Sequence, residues 1–359
     1  TSDGLIGWGE ASLEGHSEAV SGAFAALRDR FLGADPNRIE DIWQTAYRLG
    51  FYRGGPVLMS ALAGLDQALW DIKGKRLGVP VYELLGGRVR DRIAVYAWIG
   101  GDCPADVIAA GRARQTQGFT AVKMNGTDHM GWLDSPRKLD SVAERVADVQ
   151  SLGLDVGVDF HGRLHKPMAK QLARILEPLR PLFIEEPLLC EHPEAIAALS
   201  KLTTIPLAYG ERLYSRWDIR PFLEAGCLDI LQPDLSHAGG ISEVRRMAAM
   251  AEAYDVALAP HCPIGPIALA SCMQIALATP NFVIQEMSLG IHYNSEDQDL
   301  LTYLKNPEIF SVTNGMIEAV PLPGLGVDID EEKVREVSRD CKAWRNPVWR
   351  GPDGSVREW

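Results

Sequence analysis

The chain is 359 residues long. That is too long for one small domain, and it suits an α/β barrel, which uses about 250 residues, with a smaller domain beside it. Its composition is 46% hydrophobic and 23% charged, so a large core can form and global disorder is excluded. Lys plus Arg number 36 against 48 Asp plus Glu, a formal net charge of -12, and long-range repulsion argues against nucleic acid or an anionic membrane surface as a partner.

Residues 1–91 read as mostly helical. Ser17 to Phe31 carries apolar residues at helical spacing, Asp35-Pro36 interrupts it, and Ile39 to Leu49 is a second amphipathic run. A third helix is expected from Met59 to Leu77, stopped by Gly78 with Pro80 shortly after. From Arg92 the rhythm changes to short β-rich runs: Ile93–Ile99, Thr120–Met124, Val156–Phe160, Leu182–Glu185, Pro206–Tyr209, Leu228–Leu231, Val256–Ala259 and Phe282–Gln285. Helical patterns such as Met168–Leu176, Glu194–Leu199 and Ser242–Ala253 lie between them. Near-continuous apolar strands alternating with helices predict a parallel sheet covered on its outer face. Eight such units predict a closed barrel over an open doubly wound sheet, since no G-x-G-x-x-G turn follows an early strand.

The cysteines (Cys103, Cys190, Cys227, Cys262, Cys272, Cys341) form no C-x-x-C pair and no zinc spacing, as expected of reduced thiols in a cytoplasmic protein. The charge-free run Cys262 to Gln285 is interrupted by Pro263, Pro266 and Pro280, so it reads as loop, helix and strand and not as a membrane span. No basic-then-apolar signal segment opens the chain.

The chemistry is legible at the strand ends. Successive runs close in Lys123-Met-Asn125, Asp159-Phe-His161, Glu185-Glu-Pro, Gly210-Glu211-Arg, Gln232-Pro-Asp234, Pro260-His261 and Gln285-Glu286. In a parallel barrel these ends meet at one mouth. Any one of them is explained by capping or a salt bridge; seven in succession are not. Asp159, Glu185 and Glu211 would repel one another unless a cation compensates them, and an all-oxygen set suits Mg²⁺ better than zinc.

These motifs resemble the mandelate racemase subgroup of the enolase superfamily. The longer stretches Val158-Asp-Phe-His-Gly-Arg, Leu231-Gln-Pro-Asp-Leu-Ser-His-Ala-Gly-Gly-Ile and Leu289-Gly-Ile-His-Tyr-Asn are similar to its acid-sugar dehydratases. The likeness extends to Phe51-Tyr-Arg-Gly-Gly-Pro and Trp344-Arg-Asn-Pro. The resemblance implies a modified (β/α) barrel over residues 92–311. It also implies an α+β capping domain made of residues 1–91 and the C-terminal segment 312–359. By that likeness the chain opens inside the first hairpin, just before Leu5-Ile-Gly-Trp-Gly-Glu10, without the family's first strand and closing loop.

By matching position, Asp159, Glu185 and Glu211 would bind Mg²⁺. His261 would be the general base, oriented by Asp234, and His161 the general acid. Glu286 would hydrogen-bond the substrate carboxylate, with Lys123 near it or the metal. The implied reaction is dehydration of D-galactonate to 2-dehydro-3-deoxy-D-galactonate, with gluconate or L-galactonate as alternative acid sugars. A barrel retained as a non-catalytic binding protein is the reading from another class. The implied partners are a small acid-sugar substrate and further copies of the chain, with no nucleic acid and no membrane.

The residue types suit this chemistry independently of the likeness. Removing a proton α to a carboxylate builds an enediolate, which a cation and a fixed donor stabilise, and loss of a β-hydroxyl needs an acid. Asn125 stands where a racemase pattern has a second basic lysine, and an amide takes no proton, so elimination is expected over racemisation. Arg53, Asn125 and His292 are candidate substrate contacts. His16, His129 and His192 read as solvated. For His165 and His237, close to the barrel mouth, loop hydrogen bonding and substrate contact both stay open.

Overall fold

The computed structural model describes residues 1–101, 106–288, 300–339, 341 and 343–359. An extended segment leads into helices α1 (Ser17–Phe31), α2 (Ile39–Leu49), α3 (Pro56–Leu77) and the single turn α4 (Val81–Leu84). Helix α3 starts three residues earlier than its apolar pattern predicts, because Pro56 supplies a preset φ at its first turn. It ends at Gly78 in the left-handed region, φ 69°.

The alternating part follows in order: β1 (Arg92–Ile99), α5 (Val107–Thr116), β2 (Ala121–Asn125), α6 (Arg137–Gln150), β3 (Asp155–Asp159), α7 (Lys166–Leu176), β4 (Phe183–Glu185), α8 (Pro193–Ser200), β5 (Leu207–Tyr209), α9 (Arg216–Ala225), β6 (Ile230–Leu231), α10 (Gly240–Glu252), β7 (Ala257–Leu258), α11 (Pro266–Ala278) and β8 (Gln285–Met287). A short strand β9 (Met316–Glu318) and helix α12 (Glu331–Val337) follow.

All neighbouring strands from β1 to β8 pair in parallel, in the order β7-β6-β5-β4-β3-β2-β1-β8. A parallel bridge from Leu258 to Phe282, just ahead of β8, links the two ends of this curled sheet. Strand β9 adds antiparallel to the start of β1. This is the expected β/α barrel, with strands mostly shorter than their apolar runs.

Register brings the chemistry together. Asn125 is level with Asp159, and Asp159 with Glu185, so polar groups at the ends of β2, β3 and β4 stand side by side at one mouth. Val122, Val156, Val158 and Ile184 join the large apolar core, while Tyr96, Ala121, Phe183 and Ala208 form a small separate cluster. The alternation sorts them onto opposite faces of the sheet.

Helix α3 is the joint between the N-terminal part and the barrel. Its buried Asp66 accepts hydrogen bonds from Ser242 N (3.0 Å) and Ser242 Oγ (2.6 Å), and Trp70 Nε1 donates to Ser242 Oγ (2.9 Å). Gln67 exchanges backbone hydrogen bonds with Glu10 at 3.0 and 3.1 Å, and Asp71 accepts from Trp8 N at 2.9 Å and Leu325 N at 2.8 Å. Glu10 in turn accepts from Gly265 N (2.8 Å) and Ala268 N (2.9 Å), closing the orphan donors that open α11. These bonds fix the N-terminal segment over the barrel mouth.

Candidate active site

Lys123 on β2 is fully buried, and its ammonium is surrounded by carboxylates: Glu185 Oε1 at 2.8 Å, Glu286 Oε1 at 3.0 Å and Asp159 Oδ2 at 3.6 Å. A charge so far from water persists only with such partners. Burial alone would lower the Lys123 pKa; Glu185 and Glu286 raise it well above the ordinary lysine value. Burial and the neighbouring Asp159 charge push Glu185 up, against the pull of Lys123. The second oxygen of Glu185 accepts from Gln232 Nε2 at 2.9 Å.

Strand β3 stops at Asp159, so the alternation that would aim His161 ends two residues early. A left-handed turn does the work instead. His161 has φ 47° and Gly162 φ 71°, and His161 N donates to Asp159 Oδ1 at 2.9 Å. The ring comes back with Nε2 2.8 Å from Asp159 Oδ2. Trp98 stacks on it at 5.9 Å between centroids, and Arg163 Nη2 stands 3.3 Å from Nδ1. Although Asp159 is fully buried, which raises its pKa, the His161 and Lys123 charges hold it below the ordinary range.

Glu211 follows Gly210, whose φ is 154°. A side chain there would meet the Gln232 backbone at 2.5 Å, so only glycine lets β5 deliver the next carboxylate to the mouth. Burial raises the Glu211 pKa, yet the nearby His261 and His161 rings lower it overall. Glu186, beside Glu185, is a separate structural pair: Arg212 Nε donates to it at 2.6 Å, and burial pushes its carboxyl to about 7.

His261 stands after β7 with Nδ1 2.9 Å from Asp234 Oδ2, while Nε2 lies 3.1 Å from Glu211 Oε2 and 3.9 Å from Glu286 Oε2. Asp234 Oδ1 is fixed by Ser236 N at 2.7 Å and His237 N at 3.2 Å. Burial disfavours the charged ring, but Glu286, Glu211 and the Asp234 hydrogen bond raise its pKa well above the ordinary histidine value. Glu286 Oε2 also accepts from Cys262 N at 3.0 Å.

The residues read from the sequence as Asp159, Glu185, Glu211, Lys123, His161, His261, Asp234 and Glu286 therefore converge. Two others do not reach the cavity. Arg53 is exposed in the loop before α3, and the buried Asn125 donates through Nδ2 to Gly101 O at 2.6 Å. His292, and with it the Leu289–Asn294 motif, lies outside the described residues.

A divalent cation fits the donor set. Asp159, His161 and Glu211 offer ligand atoms all within 4.8 Å of one another, and Asp159 Oδ2 and Glu286 Oε1 are buried without a hydrogen bond of good geometry. In the sequence-read set Glu185 takes the place of His161; in the structure Glu185 is turned to Lys123 and Gln232.

His161, Glu211, His261 and Glu286 open onto a cavity of about 290 Å³, while Lys123, Asp159, Glu185 and Asp234 are not on its wall. Its wall adds Glu14, Tyr214 and Trp359, none singled out by sequence, and Asn346 of the Trp344-Arg-Asn-Pro motif, with His237 beside them. Glu14 precedes α1, and Asn346 and Trp359 come from the C-terminal segment, where Arg345 pairs with Glu18. Sequence offered one weak sign, the motif around Trp344, whose ring lies 5.1 Å from that of Trp359.

A parallel barrel with acidic strand ends, a buried lysine and a histidine–aspartate pair at its mouth defines a class of metal-dependent barrel proteins. Residues 1–86 match the mandelate racemase / muconate lactonizing enzyme N-terminal domain, and residues 106–333 match the enolase C-terminal domain-like family. The chain belongs to the mandelate racemase / muconate lactonizing enzyme family of the enolase superfamily. It is 58% identical to D-galactonate dehydratase of Ralstonia nicotianae and 55% identical to that of Pectobacterium atrosepticum; each match takes in 100% of this chain and 94% of the relative. Among solved structures it is similar to an enolase from Agrobacterium radiobacter with bound Na and L-malate, at TM-score 0.89 and 34% identity over 100% of this chain and 94% of that one. It is also similar to a mandelate racemase/muconate lactonizing enzyme-like protein from Rubrobacter xylanophilus, at TM-score 0.84 and 30% identity over 92% and 90%.

Proposed function

We propose that the protein dehydrates D-galactonate to 2-dehydro-3-deoxy-D-galactonate with Mg²⁺ as its metal. The observation that carries this reading is the His261–Asp234 pair, 2.9 Å apart, facing Glu211 in a cavity whose opposite group is His161. The names of the full-length relatives at 55–58% identity support the choice of substrate.

Asp159, Glu185 and Glu211 would hold the metal, leaving His161 free as the acid, and the metal would supply positive charge where the substrate carboxylate gains negative charge. Lys123 adds a fixed cation, and Glu286, in its protonated form, would donate a hydrogen bond to the same carboxylate. His261 Nε2 takes the α proton. Asp234 holds the ring by Nδ1, keeps Nε2 directed at the cavity and stabilises the imidazolium that forms. Of the carboxylates that favour the charged ring, Glu211 is one that a divalent cation would neutralise, which would ease release of the proton from Nε2. His161 protonates the departing 3-hydroxyl, water leaves, and the resulting enol tautomerises to the keto acid. Trp98 and Trp359, flanking His161, shield that step from bulk water.

Incubating the protein with D-galactonate and Mg²⁺ should form a 2-keto-3-deoxy acid, detected by its semicarbazone absorbance. Turnover that persists unchanged after thorough chelation contradicts the metal assignment.

A further inference from the structure

The cavity wall carries an ion pair that the reaction described above does not use. Glu14 Oε2 lies 3.1 Å from His237 Nε2, and His237 Nδ1 is 3.3 Å from Ser60 Oγ of α3. His237 Nε2 is also 3.6 Å from Asp234 Oδ2. The contacts thus run Glu211, His261, Asp234, His237, Glu14, which joins Glu14 to the base through Asp234 and His237. About a third of its side chain (34%) is open, and it lines the cavity.

The charge inventory of the described wall decides what fits there. Each cationic group already faces a carboxylate: His161 faces Asp159, His261 faces Asp234 and Glu211, Arg212 faces Glu186 and Glu211, and His237 faces Asp234 and Glu14. A substrate whose first carboxylate sits against Lys123 and Glu286 therefore meets an acceptor, Glu14, at its other end. Hydroxyl groups donate to a carboxylate; a second carboxylate is repelled by it.

We infer that Glu14, held by His237, selects a monocarboxylic polyhydroxy acid with a hydroxyl at its far end and rejects the corresponding diacid. This rests on the dehydratase reading above and adds to it the group that distinguishes an aldonate from an aldarate. Although burial opposes its charge, the His237 imidazolium lowers the Glu14 pKa to about 2, so the repulsive group is present throughout the working range. Rejection by an unmatched like charge is the economical way to separate two acids that share the same reacting carbons.

Glu14→Gln removes the repulsion and leaves the His237 imidazolium facing the cavity, where it can receive a second carboxylate. The experiment measures kcat/KM for D-galactonate and for galactarate in wild type, Glu14→Gln and Glu14→Asp. Wild type should prefer galactonate by about 100-fold or more, and Glu14→Gln should shrink that preference by about 10-fold or more, through KM more than kcat. Glu14→Asp keeps the charge and should stay near the wild-type ratio. Galactarate inhibition of the wild type provides a measurement that no folding defect can blur: weak inhibition, with Ki far above the galactonate KM, is expected. Tight inhibition, or an unchanged ratio in a folded Glu14→Gln, overturns the assignment of Glu14 alone. Wild-type turnover of neither acid overturns the dehydratase reading beneath it.

Discussion

At the scale of single residues, the two histidines assigned to the reaction differ by what holds them. His261 is tied by Nδ1 to the buried Asp234, whereas His161 lies beside Asp159 on a left-handed turn. His261→Asn should abolish exchange of the substrate α proton with deuterated solvent, with a rate loss on the order of 10²–10⁴. His161→Asn should stop dehydration yet leave measurable exchange, since base, lysine and carboxylates remain. Exchange at the wild-type rate in His261→Asn, followed by proton NMR, would remove it as the base. Gly210 is held to glycine by geometry: a Cβ would sit 2.5 Å from the Gln232 carbonyl carbon at φ 154°. Gly210→Ala should cost about 1–3 kcal/mol or more and lower the melting temperature, because backbone on both sides must shift.

At the scale of elements, the barrel strands and their polar ends were legible, because buried parallel strands are continuous apolar runs and each stops at an ionisable residue. Strand lengths were less legible. Leu228–Leu231 and Val256–Ala259 contribute only Ile230–Leu231 and Ala257–Leu258 as strand, although Ala259 N still donates to Leu231 O at 2.9 Å. Sequence places His161 two residues after Asp159; a turn and not strand alternation brings its ring back to that carboxylate, because the strand ends at Asp159. Glu14 and Trp359 were invisible, since no local pattern reports which segments from the two chain ends fold over the mouth; Tyr214, in the loop between β5 and α9, carries no motif of its own. Glu10 shows how that segment is fixed: it closes the N-terminus of α11 with two backbone hydrogen bonds. Glu10→Ala should therefore destabilise the fold by about 1–2 kcal/mol, read by denaturant unfolding.

At the scale of the whole molecule, three buried groups make stability depend on pH in one direction. His237 is disfavoured as a cation by burial but raised to about 9 by Asp234 and Glu14, so its contribution is full below the unfolded histidine value and is lost as pH rises through 9. Glu10 and Asp66, raised to about 7 mainly by burial, are protonated more readily in the folded chain, so folding weakens as pH climbs from the carboxylate range through 7. Glu14, whose charge burial opposes but the His237 imidazolium favours down to about 2, contributes fully above the carboxylate range and loses that contribution as pH falls through it towards 2. The metal-free protein should melt at its highest temperature at about pH 4–5 and progressively lower towards about pH 9; a flat profile over that window would contradict these assignments. Mg²⁺ added to chelated protein should raise the melting temperature, because a cation bound only by the folded cluster stabilises it. The account stands or falls on one-sided proton removal followed by loss of a hydroxyl. The direct measurement is NMR of D-galactonate incubated with the protein and Mg²⁺ in D₂O. Accumulation of the 2-keto-3-deoxy acid, with no epimer at the α carbon, is the predicted result; the epimer as main product, with little keto acid, would contradict it.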